Sequence, residues 1–436
     1  MLQIIAEYIK NIDYHRVLIS LKSRNFRLYF GGMCVSLVGT WMQQIAMSWL
    51  VYKLTGSVLL LAMVTFMSQI PILLITPFLS VFVDRIDKRN ILLFTQSCSM
   101  LQAFLLALLT FSGTIAVWHI LLLSLLLGCV NALDNPTRQA FYPSLVPETH
   151  LANAIALNST VINGSRLIGP ALGGILIGVL GESWCFLLNG ISYIGVILAL
   201  LLMRLSPAAP PAAHQNIFTD LTEGFTYVSS SIPLRSLLLL MSVVSFFGLP
   251  LMTFIPAYVK DILRGDSAML GYLLSCAGIG SLLAALLLAT RRSIPGLSKV
   301  ISISAFFLGL CLLHISFVTT PWVAAILSVF IGFTLITTVA SINTLLQTLS
   351  DEDKRGRVMG YLAMAFTGIT PLGSLALGAL EKYTGLPSII LVSGICCLTG
   401  AVTFEYFRPL IHKHAHPIYL RKGIVQEVPA RVSNKH

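Results

Sequence analysis

The sequence predicts an all-α membrane protein in which twelve transmembrane helices form two six-helix bundles. Of its 436 residues, 56% are hydrophobic and only 10% are charged, which is more apolar surface than a soluble protein of this length can bury. The apolar residues fall into twelve runs, each long enough to cross the ~30 Å hydrocarbon core of a bilayer as a helix. Features of the first six runs recur in the second six, which indicates that the bundles are repeats.

Short polar loops separate most of the runs. The runs cover residues 28–53, 57–83, 90–112, 115–137, 152–180, 183–204, 236–259, 267–290, 297–318, 321–346, 357–380 and 386–407. The segment before the first run is amphipathic and charged, which predicts that it is not a cleavable signal peptide. The eight cysteines lie in or beside the runs without disulfide or zinc spacing, so we expect them to be small buried hydrophobes.

The positive charge of the chain is concentrated in alternate loops. With the amino terminus in the cytoplasm, the inside loops carry twelve Lys and Arg residues: Arg85, Lys88, Arg89, Arg138, Arg204, Arg235, Arg291, Arg292, Lys299, Lys354, Arg355 and Arg357. The outside loops carry four: Lys53, Lys260, Arg264 and Lys382. The positive-inside rule then predicts that both termini are cytoplasmic. Topology therefore accounts for the net charge of +11, and we expect a lipid bilayer and no nucleic acid as partner.

The longest break in hydrophobicity lies between the sixth and seventh runs. Residues 205–235 begin with a Pro/Ala-rich stretch typical of a linker, followed by DLTEGFTYVSS, which predicts a short surface helix. The chain is thereby divided into an N-terminal bundle with a cytoplasmic segment (1–204), a cytoplasmic linker (205–235), a C-terminal bundle (236–408) and a basic cytoplasmic tail (409–436).

Two pairs of segments repeat in the same order in both halves. RLIGPALGGILIGVLG (166–181) is similar to GITPLGSLALGALEKYTG (368–385), and each follows a polar hinge, PETHLANA (147–154) or DEDKRGRV (351–358). Repeats in the same order predict an axis normal to the membrane, as in secondary transporters. A substrate path is then expected between the halves.

The loop after the second run resembles a family signature. SVFVDRIDKR (80–89) is similar to the loop 2–3 motif of the major facilitator superfamily, although Ser80 and Asp87 replace glycines of the general pattern. The DR-x-D-K-R form, residues 131–159 and RLIGPALGG resemble its drug and siderophore exporter branch, which includes enterobactin exporter-like and macrolide efflux-like permeases. The resemblance implies the major facilitator fold in the bacterial cytoplasmic membrane. It also implies proton-coupled export of a hydrophobic or amphipathic small molecule, siderophore or drug-like, by alternating access.

The charged loop itself is a candidate gate. The resemblance implies that such a cluster latches the cytoplasmic face in one conformation and opens in the other; its members here would be Asp84, Arg85, Asp87, Lys88, Arg89 and Arg138. The alternative is that these charges only fix topology, although acidic residues are unnecessary for that purpose.

The fourth run ends in polar residues on one helix face. Asn131, Asp134 and Arg138 recur at helical spacing, and Asp134 can pair with Arg138 one turn later. A local ion pair and a coupling or gating role both remain open for Asp134. Pro136 frees a backbone carbonyl that must be covered by protein or water.

Arg166 lies near the middle of the fifth run, where a cation is costly and usually faces an internal cavity. Asn163 shares its helix face. Arg166 is a candidate counter-charge for an anionic or polar substrate group; the alternatives are a structural pair with an acid such as Asp134, or snorkelling. The glycine-rich run that follows, with Gly169, Pro170, Gly173 and Gly174, resembles the antiporter motif of the family, and close helix packing explains it equally well.

Further polar residues could line a transport path or hold helices together. They are Gln43 on the first run, Gln69 on the second, and Asn343 and Gln347 on the tenth. Aromatic residues of the seventh run (Phe246, Phe247, Phe254 and Tyr258) would suit an apolar ligand. The chain has no phosphate-binding loop, H-E-x-x-H motif or nucleophile elbow, so we expect no catalytic residue, cofactor or metal site. The histidines of HKHAH (His412, His414 and His416) are weak evidence for metal binding.

Several functional alternatives stay open. No acidic residue lies at mid-membrane, which leaves the coupling ion undetermined. Import of a polar nutrient or flipping of a lysolipid competes with export, although Arg166 is the one mid-membrane charge. A non-transporting receptor or scaffold would not need the repeat. We expect a small-molecule substrate and a monomer.

Overall fold

The computed structural model describes residues 18–83, 86–204, 217–291, 294–422 and 424, and within these it contains helices and no strands. The helices are α1 (Arg24–Thr55), α2 (Val58–Val83), α3 (Lys88–Phe111), α4 (Val117–Phe141), α5 (Glu148–Leu180), α6 (Glu182–Leu202), α7 (Ile217–Ser230), α8 (Ile232–Ile262), α9 (Ser267–Ala289), α10 (Leu297–Ile315), α11 (Pro321–Leu349), α12 (Arg355–Thr384) and α13 (Leu386–Arg421).

The helical architecture confirms the predicted fold class. Eleven helices of the described residues are long and apolar enough to cross a membrane. The twelfth predicted span, 28–53, lies within α1, whose 32 residues would extend about 48 Å at 1.5 Å per residue. Polar side chains such as Thr40, Gln43 and Gln44 make α1 less apolar than the others. The remaining helix, α7, is the short helix predicted in the linker.

The described residues pack as two compact units. The first contains the described part of Met1–His214 together with Thr253–Gly278; the second contains the described part of Gln215–Met252 and Ile279–His436. The predicted boundary at residue 235 follows the sequence repeat, whereas these units follow packing. The end of α8 and the start of α9 therefore belong to the first unit, although they fall in the second half of the sequence.

In the first unit, α1 packs against α5 and α6, α2 against α4, and α3 against α6. At one end of these helices, Phe26, Tyr29 and Leu200 form a buried cluster with Phe141 and Leu145. The ring of Tyr29 meets that of Phe141 edge-on at 5.8 Å, an arrangement that aromatic pairs prefer.

Ser20 and Ser23, which precede α1, form hydrogen bonds with the segment that connects α4 to α5 and with the start of α5. The Ser20 hydroxyl donates to the carbonyl of His150 at 3.0 Å, and its backbone N–H donates to the Asn153 side chain at 3.2 Å. The Ser23 hydroxyl donates to the carbonyl of Leu145 at 2.5 Å. Backbone groups at the end of one helix and the start of the next are thus paired with side chains from before α1.

In the second unit, α10 packs against α11 and α13. Glycines allow α10 and α13 to approach closely. A Cβ atom at Gly309 would lie 2.7 Å from the backbone nitrogen of Leu398, and one at Gly394 would lie 2.8 Å from that of Leu313. Two helices are interrupted by π-helical turns, α8 at Val244–Gly248 and Tyr258–Ile262, and α12 at Met364–Gly368.

The hinge between α11 and α12 is held from two sides, an arrangement that we call the C-terminal clasp. The Asp351 carboxylate accepts hydrogen bonds from the Tyr227 hydroxyl at 2.9 Å and from Arg421 at 2.6 Å. Lys422 donates to the carbonyls of Thr348 at 2.8 Å and Ser350 at 2.6 Å, where the end of α11 carries partial negative charge. Burial raises the pKa of the Tyr227 hydroxyl, so it stays protonated in more alkaline solution than an ordinary tyrosine does.

Much of the predicted basic tail is helical and packs against the protein. The last span was predicted to end at residue 407 and the tail to begin at 409, but α13 continues to Arg421. Ile411, Ala415 and Tyr419 recur every four residues and are buried, which is the spacing of a helix face packed against the protein.

The histidines of HKHAH therefore lie on a helix, where the His412 and His416 rings are 5.9 Å apart. The described residues contain no cluster of three or more His, Cys, Asp or Glu side chains that could hold a metal ion.

Candidate functional site

Arg166 and Trp41 form a cation–π pair in the first unit. The guanidinium carbon of Arg166, half-buried on α5, lies 5.4 Å from the centroid of the Trp41 ring on α1. One turn along α5, a Cβ atom at Gly169 would collide with the Cβ of Trp41 and lie 3.1 Å from the carbonyl of Val38. The first glycine of the antiporter-like run therefore allows the indole to lie beside the guanidinium.

Within the described part of the chain, no carboxylate forms an ion pair with Arg166. Asp134, the acid predicted as its structural partner, pairs with Arg138 instead. Asn163 shares the helix, but its amide donates to the carbonyl of Ser159 at 2.9 Å. Among the described residues, the Trp41 ring is thus the group that we find stabilising the Arg166 guanidinium.

The glycine-rich run packs α5 against two other helices. A Cβ at Gly173 would lie 3.2 Å from the Cα of Met42 on α1, and a Cβ at Gly174 would lie 2.8 Å from the Cα of Gly271 on α9. Pro170 has no N–H to offer the Arg166 carbonyl four residues earlier. Gly278 allows α9 to approach that carbonyl, since a Cβ there would lie only 3.2 Å from it. The run therefore serves close packing; its link to antiport stays a prediction.

Asp134 lies at the centre of a buried polar cluster. Arg138 donates to Oδ2 through Nε at 3.1 Å and also through Nη2, while Oδ1 accepts from the Thr95 hydroxyl at 2.7 Å and the Gln96 amide at 2.8 Å. Arg138 also contacts the sulfur of Met33 at 3.0 Å. Four donors satisfy an ionised carboxylate, so this geometry supports the local ion pair for Asp134. Sequence reasoning identified the pair but missed Thr95 and Gln96, which come from α3.

Pro136 explains a contact between α2 and α4. It removes the N–H that would bond to the carbonyl of Ala132, and the Thr76 hydroxyl donates to that carbonyl at 3.2 Å. This is the protein cover that a freed carbonyl in a membrane helix requires. Asn131, next to Ala132, is half-buried.

Two members of the predicted gate, Asp84 and Arg85, lie outside the described residues. Of the others, Asp87 accepts a hydrogen bond from the backbone N–H of Arg89 at 2.8 Å and so caps the start of α3. The Arg89 guanidinium donates to the carbonyls of Leu200 at 2.7 Å and Leu201 at 2.8 Å at the end of α6. Lys88, the first residue of α3, is half-buried. Asp87 and Arg89 thus cap two helix ends, and the gating role of the cluster remains a prediction.

Gln43 belongs to a buried amide network. It donates to the carbonyl oxygen of Gln102 at 3.0 Å and accepts from the amide of Asn189 at 2.9 Å, joining α1 to α3 and α6. Sequence reasoning missed both partners, which lie 59 and 146 residues away. Gln43 thus holds helices together, while Gln69 on α2 is half-buried.

One polar cluster, at the predicted outer ends of α1, α6 and α8, was not foreseen. The buried hydroxyl of Tyr52 donates to the carboxylate of Asp261, and the Lys260 ammonium lies 5.4 Å from the Tyr52 ring. Lys53 pairs with the buried Glu182 at 3.0 Å. The signal available in sequence was a charged residue within two positions of an aromatic residue at each of these helix ends, which is too common to identify partners.

Of the residues predicted to line a path in the second half of the sequence, some are exposed or half-buried and others are buried in packing contacts. Gln347 donates to the side-chain oxygen of Asn343 at 3.0 Å on an exposed face of α11. The rings of Phe246 and Phe247 lie 4.8 Å apart and are half-buried. Tyr258, like Phe254 one turn earlier, is almost completely buried, which is typical of packing.

The chain matches the family described as transmembrane secretion effector over residues 17–419. It is 27% identical to the staphyloferrin A transporter of Staphylococcus aureus over 87% of this chain and 95% of the relative. It is 24% identical to the multidrug efflux pump Tap of Mycolicibacterium fortuitum, over 80% and 87% of the two chains. Macrolide efflux protein A of Streptococcus pyogenes is 22% identical over 67% and 73%.

Solved structures share the fold at low sequence identity. A POT family transporter superposes with a TM-score of 0.71 at 13% identity, covering 89% of this chain and 97% of that one. The nucleoside transporter NupG gives a TM-score of 0.67 at 16% identity, over 88% and 98%. A bacterial homologue of the lysosomal transporter Spinster gives 0.63 at 14% identity, over 93% and 99%.

Proposed function

Because the chain belongs to the transmembrane secretion effector family of major facilitator transporters, we propose that it exports an anionic, amphipathic small molecule, siderophore or drug-like, across the bacterial cytoplasmic membrane. Export is supported by relatives named for efflux, the pump Tap and macrolide efflux protein A. A siderophore-like substrate is supported by the relative named for staphyloferrin A.

The observation that carries the substrate class is that Arg166 forms no ion pair with a carboxylate among the residues that the structure describes. A cation at the centre of a membrane helix costs about 2.5–3.5 kcal/mol on insertion scales. The Trp41 face offsets part of this, since cation–π contacts contribute about 0.5–2 kcal/mol. A substrate carboxylate or catecholate would complete the compensation, and the planar guanidinium suits bidentate binding of such groups. The exposed part of the indole would contact an apolar portion of the same molecule.

The energy source in this proposal is the proton gradient. The Asp134–Arg138 pair, saturated with donors, is assigned a structural role and not the coupling step. Transport would proceed by alternating access, with Arg166 exposed to one side of the membrane at a time.

Membrane vesicles of both orientations test the direction. In an exporter, inside-out vesicles energised by a proton gradient accumulate a fluorescent anionic amphipath, and a protonophore abolishes the accumulation. Accumulation only in right-side-out vesicles would establish import instead. No difference from vesicles without the protein, over a panel of anionic and neutral amphipaths, would favour a receptor or scaffold.

The same vesicles test the role of Arg166. Arg166→Ala should abolish transport of anionic compounds more than of neutral ones, and Arg166→Lys should keep part of it because the charge remains without the planar geometry. Arg235→Ala, which removes an exposed arginine at the start of α8, is the matched control. Equal loss for anionic and neutral compounds at normal protein level would contradict the assignment.

A further inference from the structure

A groove runs along the second unit between α10 and α13. Its volume is about 460 Å³, and its apolar lining includes Ile303, Phe306, Phe307, Val402 and Tyr406. These side chains are strongly exposed: Phe307 by 51%, Val402 by 55% and Tyr406 by 79%. In a membrane-spanning protein, such a surface faces acyl chains.

One end of the groove carries more positive than negative charge, because Arg408 and Lys299 both interact with the carboxylate of Glu405. Glu405 is neutralised by Arg408, which donates to its carboxylate at 2.9 Å, and it also accepts from Ser302. Lys299 is exposed one turn before Ser302 and lines the same end of the groove. Within the residues that the structure describes, Lys299 forms no ion pair.

The spacing of charge and aromatic residues matches the edge of a bilayer. From Lys299 to Phe307 is eight residues, or about 12 Å along the helix axis. Aromatic residues are enriched at the membrane interface, and Lys beside a membrane attracts anionic headgroups. On the predicted topology, this end of α10 and α13 lies at the cytoplasmic leaflet.

We propose that the groove binds an anionic phospholipid, with its phosphate at Lys299 and an acyl chain along Ile303, Phe307 and Val402. The unbalanced charge selects an anionic headgroup over a zwitterionic one, because the carboxylate of Glu405 is already occupied by Arg408 and Ser302.

Native mass spectrometry of the delipidated full-length protein tests the headgroup. Phosphatidylglycerol and phosphatidylethanolamine with the same acyl chains are added separately, and the first bound lipid is titrated. Wild type should bind phosphatidylglycerol more tightly, and Lys299→Gln should weaken it by about five-fold, the contribution of one Lys to binding anionic lipid. The control is Lys382→Gln, which removes an exposed lysine from the last turn of α12, at its predicted outer end. This variant should bind phosphatidylglycerol as tightly as wild type does. Equal affinity of wild type for the two lipids would overturn the proposal.

A second variant tests the groove itself. Val402→Trp places a large ring in the groove from an exposed position, so it should fill the groove without disturbing the core. The variant should lose the first bound phosphatidylglycerol while its thermal unfolding temperature stays near that of wild type. Retention of that lipid by both Val402→Trp and Lys299→Gln would show lipid held by the general protein surface and would refute the site.

Discussion

Arg166 and Trp41 lie with the guanidinium carbon 5.4 Å from the indole centroid, and Gly169 is the residue that allows this approach. The glycine-rich run that starts at Gly169 and the charged Arg166 therefore belong to one structural arrangement. A glycine that permits close packing of α1 and α5 also allows an aromatic face to lie beside a half-buried cation. This link suggests why Arg166 and the glycine-rich run adjoin in the sequence.

Replacing Trp41 should weaken transport of anionic substrates. Trp41→Leu removes the ring that positions the Arg166 guanidinium and the indole surface that the proposal places against the substrate, so the half-saturating concentration of anionic compounds should rise several-fold. Trp41→Phe should lie between wild type and Trp41→Leu. Trp49→Leu, a change on the same helix away from Arg166, is the control, and an equal effect of both leucine variants would contradict the pairing. Vesicle uptake measures the effect.

Replacing a glycine of α5 with alanine should lower the thermal stability of the protein at Gly174 but not at Gly164. A Cβ at Gly174 would lie 2.6 Å from the carbonyl of Ser267, whereas at Gly164 nothing lies within 4 Å. We expect Gly174→Ala to lower the thermal unfolding temperature, because the backbone of α9 must move. Gly164→Ala should leave it unchanged or raise it, since alanine favours a helix. A matching decrease in both variants would exclude close packing as the cause.

Breaking the Asp134–Arg138 pair should destabilise the protein. In soluble proteins, removing one partner of a buried pair costs roughly 3–5 kcal/mol, so Asp134→Asn should reduce the amount of folded protein in the membrane. The double variant Asp134→Leu with Arg138→Met should recover part of that loss. Glu405→Gln, in an exposed pair worth about 0–1 kcal/mol, is the control. Normal folded levels of Asp134→Asn with transport insensitive to the pH gradient would instead favour a coupling role.

The hydrogen bond from the Tyr52 hydroxyl to the Asp261 carboxylate should contribute modestly to the stability of the protein. Tyr52→Phe removes the donor at nearly constant volume, and a net loss of about 0.5–1.5 kcal/mol is expected for one hydrogen bond. Thermal unfolding in detergent should show this, while Tyr383→Phe, which alters a tyrosine that is 81% exposed, should not. An unchanged unfolding temperature for Tyr52→Phe would show that the hydrogen bond adds nothing.

Hydropathy and local spacing predicted the helical spans, because both depend only on neighbouring residues. The pair of Asp134 with Arg138 followed for the same reason, since the two residues are four apart on one helix. The polar stretch after residue 408 hid the continuation of α13, although the spacing of Ile411, Ala415 and Tyr419 was visible in the sequence. Charge and histidine content outweighed that periodicity in the prediction.

The partners of buried polar residues could not be predicted. Gln43 needed Asn189, 146 residues away, and any of the polar residues on five other predicted helices would have been equally acceptable. The contact of Arg166 with Trp41 was likewise undetermined, because the two residues lie on different helices and the sequence left a pair of Arg166 with Asp134 open. Helix faces follow from periodicity, but the pairing of faces follows from tertiary packing.

The C-terminal clasp sets an order of events during biosynthesis. Asp351 and its hinge are made 70 residues before Arg421, so a nascent chain holds the hinge without its final partners. Until Lys422 is translated, the carbonyls of Thr348 and Ser350 lack its ammonium group. The second unit can therefore complete its packing only after Arg421 and Lys422 have been synthesised and released, and a chain arrested before Arg421 should be a preferred substrate for membrane quality-control proteases.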